Sequence, residues 1–189
     1  GGWNKVKLYF MLGQPTETIE DMKAIGELAE EIAERYYEIP KDQRNGKCQI
    51  TVSTSFFVPK PFTPFQWSPM CTKDEFLGRA RIVNETQLNK KSIRYNWHEA
   101  DVTMIEGILA RGDRRLCNAL IRVYEKGGIF AAWSEFFDDQ IWQDAFAEEQ
   151  IDTAFYTTRA RQEDEIFPWD FIDAGVTKQF LLREWHAAN

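Results

Sequence analysis

The sequence predicts an α/β fold over its first half and a mostly α-helical second half. Three observations carry this reading. A strand, a helix and a second strand follow one another within residues 5–58; a proline-rich segment closes that unit; and helical spacing dominates after residue 100.

Residues 5–12 (KVKLYFML) form a short apolar run with aromatic content, the pattern of a strand covered on both faces. Residues 18–38 place Ile19, Met22, Ile25, Leu28, Ala29, Ile32 and Tyr36 at spacings of three and four, which gives one helix with an apolar stripe. Thr16 or Thr18 caps its start, and Glu17, Glu20 and Asp21 suit the positive end of its dipole. A polar connection over 40–47 leads into the β-branched, alternating stretch CQITVSTSFFV at 48–58, a second strand. Strand, helix and strand within about fifty residues make a βαβ unit with parallel strands.

Residues 58–69 hold Pro59, Pro61, Pro64 and Pro69 and form neither helix nor central strand, because each proline removes a donor and constrains its predecessor. Thr72 with Glu75 is a capping-box signature for a helix over 73–90, and SIRYNW at 92–97 reads as a third strand. Helical spacing then covers 101–110, 112–126 and 134–149, with breaks at Gly112 and Gly127-Gly128. A last helix follows the loop FPWDFIDAG, with Val176, Phe180, Leu181 and Trp185 on one face. The division falls at 98/99: an α/β part over 1–98 and a helical extension over 99–189.

Composition narrows the function classes. A net charge of −7 argues against a general polyanion-binding surface and leaves room only for a local basic patch. Cys48, Cys71 and Cys117 are widely spaced, with only His98 and His186 to join them, so no disulfide framework, zinc site or iron–sulfur motif is legible. No apolar run is long enough to span a bilayer and no signal-peptide pattern opens the sequence, so the expected location is the cytoplasm.

Four stretches carry candidate chemistry. The first is the tight junction 13–18, GQPTET, at the carboxyl end of the first strand, where ligands of parallel α/β folds sit. Gly13 lets a ligand approach the backbone, Pro15 stiffens the turn, and Glu17 either accepts from a ligand or serves the helix dipole. The junction is neither a Walker loop nor a G-x-G-x-x-G fingerprint. The second is the proline-rich segment, where Lys60, Thr63 and Gln66 stand among Phe62, Phe65 and Trp67: ligand pocket wall or structural cover. The third is Arg111, Arg114 and Arg115 with Asp113, suited to bidentate contact with carboxylate or phosphate, or paired locally. The fourth is the acidic and aromatic stretch 133–170, with Glu135, Asp138, Asp139, Glu163, Asp164 and Glu165, whose carboxylates the spacing alone does not pair.

The string VKLYFMLGQPTETIEDM resembles the Gly-x-Pro-x-Glu-Thr strand and loop of radical S-adenosylmethionine (SAM) enzymes, especially their cobalamin-binding branch. SFFVPKPFTPFQW, WHEADVTMIEGILARGDRRL, AAWSEFF and GVTKQFL, in that order, resemble one uncharacterised bacterial family of that branch. The resemblance implies the C-terminal portion of a partial (βα)6 TIM-like barrel, starting at its fifth strand, followed by a helical extension. It implies SAM and a [4Fe–4S] cluster in the intact parent, with cobalamin left open, and none of them bound by this piece alone, which is expected to be inactive. The Cys-x-x-x-Cys-x-x-Cys loop of such enzymes has no counterpart here.

Carried over by position, Phe10, Met11, Leu12, Gly13, Gln14, Pro15 and Glu17, with Ser53 and Ser55 on the next strand, are expected beside the adenine of SAM. Glu17 takes a structural or hydrogen-bonding role, and Gln14 departs from the apolar residue common in relatives. Val58, Lys60, Thr63, Arg111 and Arg114 are expected at the substrate pocket. The implied partners are an unknown substrate, the rest of the same protein and a second copy of this piece, through an exposed sheet edge. The competing class is a non-catalytic module that binds a protein or RNA partner through the helical half.

Overall fold

The structure is a computed structural model and describes residues 2–86 and 91–188. Strand β1 (Lys5–Leu12) pairs in parallel with β2 (Gln49–Phe56), and β2 with β3 (Ile93–Trp97), giving a three-stranded parallel sheet in the order β1-β2-β3. The described residues hold seven α-helices: α1 (Ile19–Glu38), α2 (Lys73–Thr86), α3 (Ala100–Ala110), α4 (Leu116–Glu125), α5 (Asp139–Glu148), α6 (Thr153–Tyr156) and α7 (Lys178–Ala188). The chain is therefore α/β. No helix among the described residues is long and apolar enough to cross a membrane. It forms two compact units, one of Gly1–Phe57 with Lys73–Ala100, the other of Val58–Thr72 with Asp101–Asn189. The break after Ala100 lies near the boundary read from sequence, but the proline-rich segment joins the second unit.

In the first unit, α1 begins at a full capping box. Thr18 Oγ1 accepts from the Asp21 backbone N–H at 3.2 Å, and Asp21 Oδ2 accepts from the Thr18 N–H at 2.9 Å. The helix stops before Pro40, whose ring disfavours helical geometry at Ile39. Met22, Ile25, Ala29 and Ala33 are its buried stripe. Gly26 lets α2 come close, since a Cβ there would stand 2.8 Å from Thr86 Cβ. The predicted residues 87–90 of the α2 helix lie outside the described residues.

Strand β2 has two different faces. Ile50, Val52, Thr54 and Phe56 are buried, with Phe56 stacked on Phe76 of α2 at 4.6 Å, while Gln49, Thr51, Ser53 and Ser55 on the other face are exposed or half-buried. Register carries this division to β1, where Val6, Leu8, Phe10 and Leu12 pair with the buried set and Lys5, Lys7, Tyr9 and Met11 with the other. The expectation that β1 is covered on both faces is corrected. It has one strand neighbour among the described residues, only Leu12 is buried, and Tyr9 is 70% exposed.

The second unit has two apolar cores. Leu116, Ala119 and Val123 of α4 meet Trp142, Ala145 and Phe146 of α5, with Ile105, Ile108 and Tyr156. Burial of each large aliphatic or phenyl side chain among them, such as Leu116, Val123 or Phe146, contributes about 1.5–3 kcal/mol. Asp138 caps α5 by accepting from the Gln140 N–H at 3.0 Å, which sets the helix start five residues later than the periodicity suggests. The other core gathers Trp67, Phe167, Trp169 and Leu181, with Phe62, Leu182 and Trp185 packed on it. On α7, Leu181 is buried and Trp185 packs, whereas Phe180 is exposed and Val176 lies before the helix.

Candidate functional site

The loop leaving β1 is built from residues that demand its shape. Gly13 has φ of 87°, where glycine alone is unstrained. A turn follows in which the Glu17 N–H donates to the Gln14 carbonyl at 3.3 Å, with Pro15 at its second position and Thr16 at its third. Thr16 has φ of 66°, the sign a type II turn requires and a conformation that costs a β-branched residue about 1–3 kcal/mol. Such strain persists only where surrounding contacts over-determine the backbone.

Those contacts converge on Glu17. Its Oε2 accepts from the Gly13 N–H at 2.9 Å and from Arg79 Nε of α2 at 2.9 Å, and its side chain is 8% exposed. Glu17 is thus spent on holding the strand end to the helix. Asp21 is likewise committed to the capping box, whose hydrogen bonds from Thr18 lower its pKa.

A cleft of about 630 Å³ opens beside this loop, lined by Phe10, Met11, Gln14, Pro15, Thr16 and Glu17 and by Ala24, Ile25 and Leu28 of α1. Five of the nine residues expected beside adenine therefore meet in one cleft: Phe10, Met11, Gln14, Pro15 and Glu17. Its two carboxylates are engaged, and the Gln14 amide and Thr16 hydroxyl remain as polar groups among apolar walls. Leu12 is fully buried and forms core, and the Gly13 N–H is held by Glu17. Ser53 and Ser55 lie on the sheet face that carries Tyr9 and Met11, where Ser55 Oγ donates to the Phe10 carbonyl at 3.5 Å. On β3, Tyr95 Oη and Thr54 Oγ1 share a 2.8 Å hydrogen bond, and burial pushes the Tyr95 phenol up to about 12.

The five residues expected at a substrate pocket lie in the second unit. Val58 is 7% exposed. Lys60 is ion-paired with Glu106 of α3, and Thr63 Oγ1 donates to the Lys60 carbonyl at 2.8 Å. Arg111, expected at the pocket, is internal in this unit. It is 1% exposed and donates through Nη1 to the Ser68 carbonyl at 2.8 Å and through Nη2 to the Gln66 carbonyl at 3.5 Å, acceptors that the proline-rich turn leaves without helix or sheet donors. Gln66 is also internal, its Oε1 accepting from the Phe62 N–H and from Trp169 Nε1. Arg114 is exposed and lines a second cleft of about 740 Å³ with Asp113, Arg115, Phe167 and Phe171.

Arg79 was missed by sequence reasoning, because its partner Glu17 is 62 residues away and nothing local marks it. Among the carboxylates of 133–170, Asp138 is a cap and Glu165 is bound to Arg159 through two contacts of 2.8 Å. Cys48, Cys71 and Cys117 form no disulfide with one another, and among the described residues no group of three or more His, Cys, Asp or Glu side chains is disposed to hold a metal ion.

The chain is similar to an uncharacterised protein of Methanocaldococcus jannaschii, 34% identical over 122 residues, which make up 63% of this chain and 24% of that protein. The chain thus spans about a quarter of the length of the curated relative it matches. No protein-family model matches the chain. No solved structure matches it either.

Proposed function

We propose that this chain is the C-terminal part of a radical SAM enzyme, its sheet forming the last βα units of a partial (βα)6 barrel and its strand ends forming a wall of the SAM site. The observation that carries the reading is the two-sidedness of β2. One face is buried under helices of its unit, while Thr51, Ser53 and Ser55 present small hydroxyls on the other, running up to the carboxyl ends where the Gly13 loop begins. A face of small polar side chains at the carboxyl ends of parallel strands is where such folds place ligands. The resemblance of the GQPTET junction to the radical SAM loop supplies the cofactor.

The residues fit the adenine and ribose part of SAM: hydroxyls of Ser53 and Ser55, the Met11 side chain, and no unengaged carboxylate at the loop. They do not fit a cluster, since the three cysteines have no ligating company among the described residues. No step is assigned to a cluster held by this chain. Bound in the longer protein, SAM would supply radical chemistry: one electron from a reduced cluster held outside this chain would cleave its S–C5′ bond to methionine and a 5′-deoxyadenosyl radical for hydrogen abstraction. The residues here orient the nucleoside and hold the loop rigid, with Glu17 and Arg79 setting the strand end.

The test is anaerobic reconstitution of the longer protein with iron, sulfide, reductant and SAM, assayed for 5′-deoxyadenosine. Formation of that product supports the reading, and its absence from a protein with a full cluster refutes it. A second reading, a partner-binding module, draws on one surface. Phe130, Trp133 and Phe136 are 55–62% exposed and touch one another at ring-centroid distances of 5.7 and 6.0 Å. Lack of a three-cysteine loop from the longer gene product favours the module.

A further inference from the structure

Two guanidinium groups in the second unit are buried without a carboxylate of their own. Arg111 is 1% exposed and Arg161 is 7% exposed. Around them stand Arg115 and Arg159, with Asp113 and Glu165 as counter-charges. Asp113 is occupied by Arg115, whose Nε lies 3.0 Å from both carboxylate oxygens. Glu165 is occupied by Arg159 through two hydrogen bonds of 2.8 Å, and Arg161 reaches it only at 3.6 Å. Of these two desolvated cations, Arg111 has no ion pair among the described residues and Arg161 only shares Glu165 with Arg159, an arrangement that burial makes costly.

The same residues, with Trp67, carry unpartnered donors. Arg111 Nε, Arg161 Nε and Trp67 Nε1 are buried N–H groups with no acceptor among the described residues. Their residues are linked in one hydrogen-bonded chain. Arg111 donates to the carbonyls of Ser68 and Gln66 on either side of Trp67, the Arg161 backbone N–H donates to the Trp67 carbonyl at 3.2 Å, and Arg161 Nη2 donates to the Arg111 carbonyl at 3.4 Å. The ring faces of Phe167 and Trp169, 5.3 and 5.5 Å from Arg161, ease its burial but leave its Nε–H without an acceptor. Burial, followed by the nearby Arg161 charge, lowers the Arg111 pKa to about 9, which leaves it cationic at neutral pH.

We propose that the cluster of Trp67, Arg111 and Arg161 binds a small monovalent anion of the size of chloride. A halide accepts N–H groups from any direction and supplies the missing negative charge. The exclusion of the donor atoms from solvent favours a small ion over a phosphate ester. A cleft of about 740 Å³ is lined by Gly112, the chain neighbour of Arg111, and by Phe167, whose ring faces Arg161. The inference is independent of the strand-end site, which belongs to the other unit.

The experiment is thermal unfolding of the 189-residue chain, with sodium chloride or sodium bromide replaced stepwise by sodium gluconate at fixed ionic strength. The expected result is a Tm that rises with the logarithm of halide concentration, as linkage to a folded-state site requires. The Arg161→Met variant, which removes one buried cation and keeps an apolar stem of similar reach, is expected to lose that slope. A Tm indifferent to halide, or a slope unchanged in Arg161→Met, overturns the proposal. Where the variant does not fold, bromide-soaked crystals of the wild type decide: an anomalous peak within hydrogen-bond distance of Arg111 Nε and Arg161 Nε supports the site, and none there refutes it.

Discussion

Glu17 and Arg79 form the clamp that fixes the end of β1, and its strength is open to a double-mutant cycle. Their contact is 2.9 Å, and the side chains are 8% and 26% exposed. Exposed pairs contribute about 0–1 kcal/mol, while removing one partner of a fully buried pair costs about 3–5 kcal/mol. This geometry lies between those limits, so Arg79→Met should cost about 2 kcal/mol. Glu17→Gln keeps an oxygen for the Gly13 N–H and gives up the charge, a loss of about 1 kcal/mol. Because both changes remove the same charge contact, the double variant should lose about 1 kcal/mol less than their sum. The assay is urea unfolding followed at 222 nm, with Cm shifts read at constant m. In a chain of this length each kcal/mol also moves Tm by about 2–4 °C. Additivity within about 0.3 kcal/mol would show that Glu17 and Arg79 do not act together, and the account of the loop as a clamped turn would fall.

Three other outcomes follow from the same geometry. The Tyr95 phenol is raised to about 12 by burial, above its unfolded value of about 10, so its contribution is complete below pH 10 and is lost as pH rises toward 12; Tyr95→Phe should flatten this alkaline loss of about 2 kcal/mol in a pH series of unfolding curves. The Asp113 carboxyl is held at about 2, chiefly by hydrogen bonding from Arg115, so its contribution is present above pH 4 and lost as pH falls toward 2; solvent screening at Arg115 limits it to about 1 kcal/mol, and Asp113→Asn should remove that acid dependence. The unpaired side of β1 predicts self-association: antiparallel pairing about Leu8 sets Lys5 opposite Met11, Val6 opposite Phe10 and Lys7 opposite Tyr9, with no two lysines facing, so light scattering should show mass rising with concentration, and a monomer throughout would refute it.

Local signals in the sequence were enough for α1 and β2. The apolar stripe and a threonine cap, at Thr16 or Thr18, mark the helix start, which the structure sets at Thr18; Pro40 opens the connection after it, and the alternation from Ile50 to Phe56 marks the inward face of a half-buried strand. β1 misled, because an apolar run reads the same whether or not a neighbouring strand covers it. The start of α5 misled for a different reason: the cap at Asp138 holds 134–138 out of the helix that apolar spacing suggests over 134–149. The site was legible only in part. GQPTET announces a strained strand-to-helix turn, since glycine and proline reveal backbone geometry by type. Its anchor Arg79, and the interior roles of Arg111 and Gln66, depend on partners 43 to 103 residues away, which no local pattern encodes.

The most direct measurement is photo-crosslinking of the proposed longer protein, after anaerobic reconstitution with iron and sulfide, with an azidoadenosyl analogue of SAM, followed by mapping of labelled tryptic peptides. The account predicts label in the peptides spanning residues 8–23 and 48–73, which carry the ends of β1 and β2, with competition by unmodified SAM. Competable label confined to peptides outside these two would contradict it.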